Sequence, residues 1–127
     1  MSRVVLDASV LLALLYQEPG GEAVRGYLPG SLLSAVNLSE VVTKSVDMGM
    51  TVEEANLALS GFPYEAVAFD AEYASVAASL RAATRPFGLS LGDRACLALG
   101  LTSGLPVLTA DRKWGECSVG VEILKIR

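Results

Sequence analysis

Five short apolar runs recur along the chain, and the segments between them carry helical spacing. Residues 3–6 read as a buried strand, and residues 32–35, 66–69, 105–108 and 121–124 as four more. Pro106 lies at the start of its run, where no ladder N–H is lost. Residues 8–16 are apolar throughout, which predicts a helix lying buried on the sheet. A short helix is expected over 21–28, before Pro29-Gly30. Leu38, Val41, Val42, Ser45 and Val46 form one stripe of a helix over 37–48 that Gly49 ends. Thr51-Val52-Glu53-Glu54 is a capping-box pattern opening a helix to about residue 60. Asp70 has the look of an N-cap for a long helix to about residue 83; a loop over 85–88 and a helix over 92–103 closed by Gly104 follow. Strands alternating with helices imply an α/β fold, a parallel sheet covered on both faces. Ligands of such sheets sit beyond the carboxyl ends of the strands, where the strand order reverses. Asp7 follows the first strand and Asp111 the fourth. If those strands are neighbours, the two acids meet.

At 127 residues the chain is expected to be one domain, 1–127. Its 52% hydrophobic content is apolar for a soluble monomer and points to a surface covered by a partner. No stretch approaches the ~18–20 apolar residues of a membrane span. Arg3 followed by residues 8–16 mimics a short signal peptide, but Asp7 interrupts it and residues 17–21 offer no small-residue cleavage site. A cytoplasmic protein is expected. Cys96 and Cys117 are too few for a disulfide framework, and the apolar run around Cys96 predicts a buried thiol. The absence of histidine removes Ser/His/Asp hydrolysis, His-ligated zinc and His general bases.

The net charge is −4, and setting aside Asp7, Glu40, Asp93 and Asp111 leaves ten acids against ten bases. Each of the four has an ordinary explanation. Asp7 can cap the following helix, Asp93 can complete a capping box with Ser90, Asp111 can cap the turn that starts at Arg112, and Glu40 can face solvent. Their joint position is the stronger signal. Three fall at strand-to-helix transitions on the ligand-binding side of the sheet. Two have a hydroxyl two residues away, Ser9 and Thr109, able to orient a carboxylate or a water. Converging acids repel, and burial raises the penalty. A divalent metal with oxygen ligands relieves it, which points to metal-dependent hydrolysis of phosphate esters.

The stretches Val4-Val5-Leu6-Asp7-Ala8-Ser9, Ser34-Ala35-Val36-Asn37-Leu38-Ser39-Glu40-Val41, Leu89-Ser90-Leu91-Gly92-Asp93-Arg94-Ala95-Cys96-Leu97-Ala98 and Leu108-Thr109-Ala110-Asp111-Arg112-Lys113-Trp114, taken in order, resemble the PIN-domain ribonucleases and, within them, the VapC toxins of toxin–antitoxin pairs. The resemblance implies a PIN-like α/β/α sandwich with a mostly parallel sheet of four to five strands, Mg²⁺ or Mn²⁺ as cofactor, cleavage of RNA, a homodimer and a cognate antitoxin. It gives Asp7, Glu40, Asp93 and Asp111 the catalytic and metal-binding positions, with Asp7 and Asp93 the most direct ligands and Asp111 the most water-mediated. Ser9 and Thr109 would support them. Five of the ten basic residues fall between Arg81 and Lys113. Of these, Arg94, Arg112 and Lys113 adjoin site acids and are candidate RNA contacts, against the plainer reading of a solvated face. Trp114 is expected to pack rather than stack a base. Two other readings compete: an inactive PIN fold acting as a binding module, and a phosphoacceptor receiver domain using Asp70. A receiver needs paired acids after its first strand and a lysine after its fifth, whereas Asp7 stands alone and Lys113 follows the fourth.

Overall fold

Adjacent residues of the first strand feed different cores. In the computed structural model, which describes residues 3–127, Val4 and Leu6 join one apolar cluster and Val5 the other, all three fully buried. (The first two residues of the domain expected over 1–127 lie outside the described residues.) The second and fourth strands obey the same period of two: Leu33 and Leu108 pack with Val4, while Leu32 and Val107 pack with Val5. A sheet with both faces apolar needs a layer on each side.

That sheet has five strands, β1 (Val5–Leu6), β2 (Ser31–Ser34), β3 (Tyr64–Val67), β4 (Val107–Thr109) and β5 (Ile123–Lys125). Their order is β3-β2-β1-β4-β5 and every pairing is parallel. One cluster holds residues of α1 (Ala8–Leu15), α2 (Gly21–Val24), α3 (Ala35–Asp47) and α4 (Val52–Leu59). The other holds residues of α5 (Ala71–Ser79) and α7 (Leu91–Ser103), with the single turn α6 (Arg81–Thr84) between them in the chain. The chain runs outward from β1 through β2 to β3, then returns to place β4 on the other side of β1. The strand order therefore reverses between β1 and β4, with Leu6 paired to Leu108. A receiver has the order β2-β1-β3-β4-β5 instead. Asp70 here accepts from the Tyr73 N–H at 3.0 Å as a helix cap, so the receiver reading is set aside.

The expected elements are present with most ends moved by no more than two residues; the helix expected over 21–28 is α-helical over Gly21–Val24 and goes on as a 3₁₀ turn, Arg25–Tyr27. The main departure is the long helix expected to about residue 83. It stops at Ser79, where the Leu80 N–H bonds back to Ala77 O in a tight turn, and Leu80 is drawn into the core. The buried Thr84 hydroxyl then donates to Leu80 O at 2.8 Å. The capping box is formed: Thr51 Oγ1 accepts from Glu54 N–H at 3.0 Å and Glu54 Oε1 accepts from Thr51 N–H at 2.8 Å. Among the described residues no helix is long and apolar enough to cross a membrane.

Gly100 lets α7 approach the sheet. A Cβ there would stand 2.7 Å from Val107 Cγ2 and 3.1 Å from Val121 Cγ1. Gly100→Ala should gain about 1 kcal/mol of helix propensity and lose about 1–3 kcal/mol to overpacking against branched side chains held in the core. Net destabilisation in urea denaturation is expected; unchanged or higher stability would show that the helix can back away freely.

Candidate functional site

β1 ends by delivering Asp7 to the switch point. Its backbone is extended, and its N–H continues the ladder to Leu108 O at 3.0 Å. Asp7 occupies the N-cap position of α1, yet its side chain accepts no helix N–H. Two hydroxyls hold it instead. Ser9 Oγ donates to Asp7 Oδ2 at 2.6 Å, and Thr109 Oγ1 donates to the same oxygen at 2.9 Å. The hydroxyls are themselves fixed: Ser9 Oγ accepts from Ala110 N–H at 2.9 Å and Thr109 Oγ1 from Asp111 N–H at 3.0 Å. The parallel β1–β4 register sets Thr109 beside Asp7, so a residue a hundred positions away completes the grip.

α7 and α3 bring the next two acids. Asp93 sits in the first turn of α7 inside a capping box. Its Oδ2 accepts from Ser90 N–H at 2.9 Å, and Ser90 Oγ accepts from Asp93 N–H at 3.2 Å. Glu40 stands on α3, where Asn37, one turn earlier, donates from Nδ2 to Glu40 Oε1 at 2.8 Å and to Gly92 O at 2.9 Å. Asp111 accepts from Lys113 N–H at 2.9 Å, capping the 3₁₀ turn Arg112–Trp114. The four acids, with Ser9, line one cleft of about 320 Å³.

Two lysines accompany them. Lys113 Nζ lies 3.7 Å from Asp111 Oδ2 and 4.0 Å from Asp93 Oδ2. Lys44 lines the cleft; it was missed in the sequence, although its i+4 spacing from Glu40 on one helix could have found it. Asn37, at i−3 from Glu40, was missed in the same way. Lys44 and Glu40 also border a larger groove of about 630 Å³ along α3. Arg112 is exposed. The structure does not bring Arg94 to the cleft. One α-helical step past Asp93 turns it toward α5, where Nη1 donates to Ala77 O at 3.0 Å and Nε is buried without a partner. Trp114 is fully buried in the core, as expected.

The electrostatics follow from this packing. Asp7 is only 4% exposed. Burial raises its pKa most, the Ser9 and Thr109 hydroxyls pull it down, and Asp93 and Glu40 push it up, leaving it at about 6. Glu40 is raised too, by partial burial first and by Asp93, against the lowering bond from Asn37. Cys96 is fully buried, and its Sγ donates to Leu6 O at 3.6 Å. Burial and then the three nearby acids push its thiol up, so it stays protonated.

A folded-state pKa of about 6 against an ordinary 3.8 means that the folded chain holds this proton more tightly. Stability from the protonated group is present at low pH and is lost as pH rises from about 4 to 6. At most it amounts to roughly 3 kcal/mol. In EDTA, Asp7→Asn should therefore be more stable than wild type above pH 6, and the gap should close as pH falls toward 4. Urea denaturation across this range checks it; a gap independent of pH would show that the buried charge is not its source.

The family model for the PIN domain matches residues 4–118. A search of curated proteins finds no match. Several solved structures are similar in fold. DNA-bound VapBC from Salmonella typhimurium superposes with a TM-score of 0.74 at 18% identity, covering 100% of both chains. VapC20 of Mycobacterium tuberculosis, a sarcin–ricin loop cleaving toxin, gives 0.74 at 15% identity, covering 94% of this chain and 98% of that one. VapBC-5 of M. tuberculosis, from the VapBC family of toxin–antitoxin systems, gives 0.65 at 23% identity over 98% and 99%. The matched span contains all five elements of the switch-point cleft, β1, α1, α3, α7 and β4, with their four acids, and the chain belongs to the PIN domain family.

Proposed function

We propose that this chain is a Mg²⁺- or Mn²⁺-dependent endoribonuclease and the toxin of a toxin–antitoxin pair acting in the cytoplasm. The observation that carries the reading is Asp7: a buried carboxylate in a capping position that does not cap, held by two hydroxyls beside two other acids. A purely structural aspartate at that position would bond the helix N–H groups.

The donor set suits a hard cation. Among the described residues no three His, Cys, Asp or Glu side chains form a ready-made metal cage. Mg²⁺ asks for less, because it keeps several waters and takes one or two carboxylates with substrate oxygens. The cleft offers carboxylates, with no imidazole and no thiolate. Both hydroxyls bond Oδ2 of Asp7, and among the described residues no side chain donates to Oδ1. Asp7 and Asp93 would hold the ion, Glu40 would complete the set, and Asp111, farther out beside Lys113, would act through water. Such an ion lowers the pKa of water toward neutrality and stabilises charge at the phosphate, work that a chain without histidine leaves to it. The protein's own residues do the rest. Ser9 and Thr109 fix the Asp7 carboxylate; Lys44, Lys113 and Arg112 offer positive charge to phosphates. Arg94, committed to α5, is not among them.

The toxin role draws on the similar VapBC structures, and an antitoxin and a homodimer follow from it. Val46, Met48, Val52 and Leu57 are exposed on α3, α4 and the turn between them, surface that a protein partner would cover.

Purified protein freed of any antitoxin should cut structured RNA with Mg²⁺ or Mn²⁺. EDTA should abolish cleavage and Asp7→Asn should reduce it by about 100-fold or more, since even outer partners of metal ligands are worth ~10–100-fold. Cleavage that survives both would sink the mechanism, and no cleavage of any RNA would favour a binding module. Expression in a bacterial host should slow growth and Asp93→Asn should relieve it; equal growth would count against a toxin. Light scattering at micromolar concentration should report a dimer.

A further inference from the structure

Asn37 has no exposed surface, although it lies on the same helix face as the cleft residue Glu40. Both protons of its amide are in use, one on Glu40 Oε1 at 2.8 Å and one on Gly92 O at 2.9 Å. Its Oδ1 is buried and, among the described residues, has no partner. Turning the amide over would set that oxygen against two acceptors, so the observed orientation is imposed by the carboxylate and the carbonyl together. A structural asparagine would normally have both ends satisfied. Here the donor end is satisfied at the expense of the acceptor end.

Gly92 belongs to the same arrangement. A Cβ at residue 92 would run into the Glu40 carboxylate. The helix turn that carries Asp93 therefore has a notch one residue earlier, and Glu40 lies in it. A single amide joins the α3 acid to the α7 turn, and Glu40 and Asp93 line the same cleft.

We propose that Asn37 is a positioning residue for Glu40, holding its carboxylate in the notch at Gly92 so that it faces Asp93 across the cleft. The geometry stands by itself; its consequence for metal binding rests on the reading of the cleft given above.

Two measurements on the full chain separate these levels. In metal-free, ¹⁵N-labelled protein, Glu40→Ala should shift the Asn37 side-chain amide pair and speed its exchange with solvent. Resonances that do not move would overturn the proposal, whatever the protein's activity. In Mn²⁺ titration calorimetry, Asn37→Ala should weaken binding by ~10–100-fold, and Gly92→Ala, whose Cβ meets the Glu40 carboxylate first, should also weaken it. The double variant Asn37→Ala with Glu40→Ala should be no worse than Glu40→Ala alone. Additive losses would make Asn37 a general tie between helices and overturn its action through Glu40. If wild type takes up no Mn²⁺, the metal-dependent reading falls, and the amide resonances alone decide the role of Asn37.

Discussion

A carboxylate with almost no exposed surface, at the junction of β1 and α1, is the constraint on which this structure turns. Burial works against the charge on Asp7, and its acidic neighbours work in the same direction. What opposes them is local: two hydroxyls aimed at one oxygen. Those hydroxyls are useful only if β4 lies beside β1 in register, because Thr109 is the last residue of β4. The crossover that reverses the strand order is thus a requirement of the site. Any other neighbour for β1 would leave Asp7 with one hydroxyl fewer and a still higher pKa.

The other acids combine a structural duty with their place in the cleft. Asp93 closes a capping box, and Asp111 caps a 3₁₀ turn. A helix-capping bond holds a carboxylate oxygen 2.9 Å from a backbone nitrogen in both cases, and a fixed carboxylate is also what a binding site needs. Capping and site membership are therefore compatible explanations for Asp93 and Asp111. Asp7 is the acid for which they diverge, since it sits at a cap position and bonds elsewhere.

Much of this was legible in the chain. The apolar runs at 3–6 and 105–108 gave the central strands, and acids at their ends followed from where α/β sheets bind ligands. Hydroxyl spacing singled out Ser9 and Thr109; Ser9 does bond the acid two residues before it, whereas Thr109, paired in sequence with Asp111, donates to Asp7 across the β1–β4 register. What escaped depends on direction around a helix rather than position along it. Arg94 adjoins Asp93 in sequence, yet about 100° of helical rotation per residue sends it to the carbonyl of Ala77 on α5. Lys44 and Asn37 are farther from Glu40 in sequence and share its face. Asn37 also looks like an unremarkable polar residue near a helix start, because the carbonyl that buries it comes from residue 92. The break at Leu80 was hidden for a related reason: packing in the second core, rather than any glycine or proline, ends α5 there.

The charge of the cleft is only partly balanced from within. Lys113 reaches Asp93 and Asp111 at 4.0 and 3.7 Å, but it is half exposed, and ion pairs in such surroundings contribute little. Among the described residues no lysine or arginine pairs with Asp7 or Glu40. Asp93 and Asp111 thus have a weak internal counterion, and Asp7 and Glu40 have only hydrogen-bond dipoles. A divalent cation entering such a cleft would meet the least competition at Asp7, where the negative charge is most buried, and there it would favour the ionised carboxylate that burial alone opposes. The instability stored at Asp7 in the metal-free chain and the cation binding proposed for it would then share one physical origin, a charge desolvated in advance by the two cores that meet at β1.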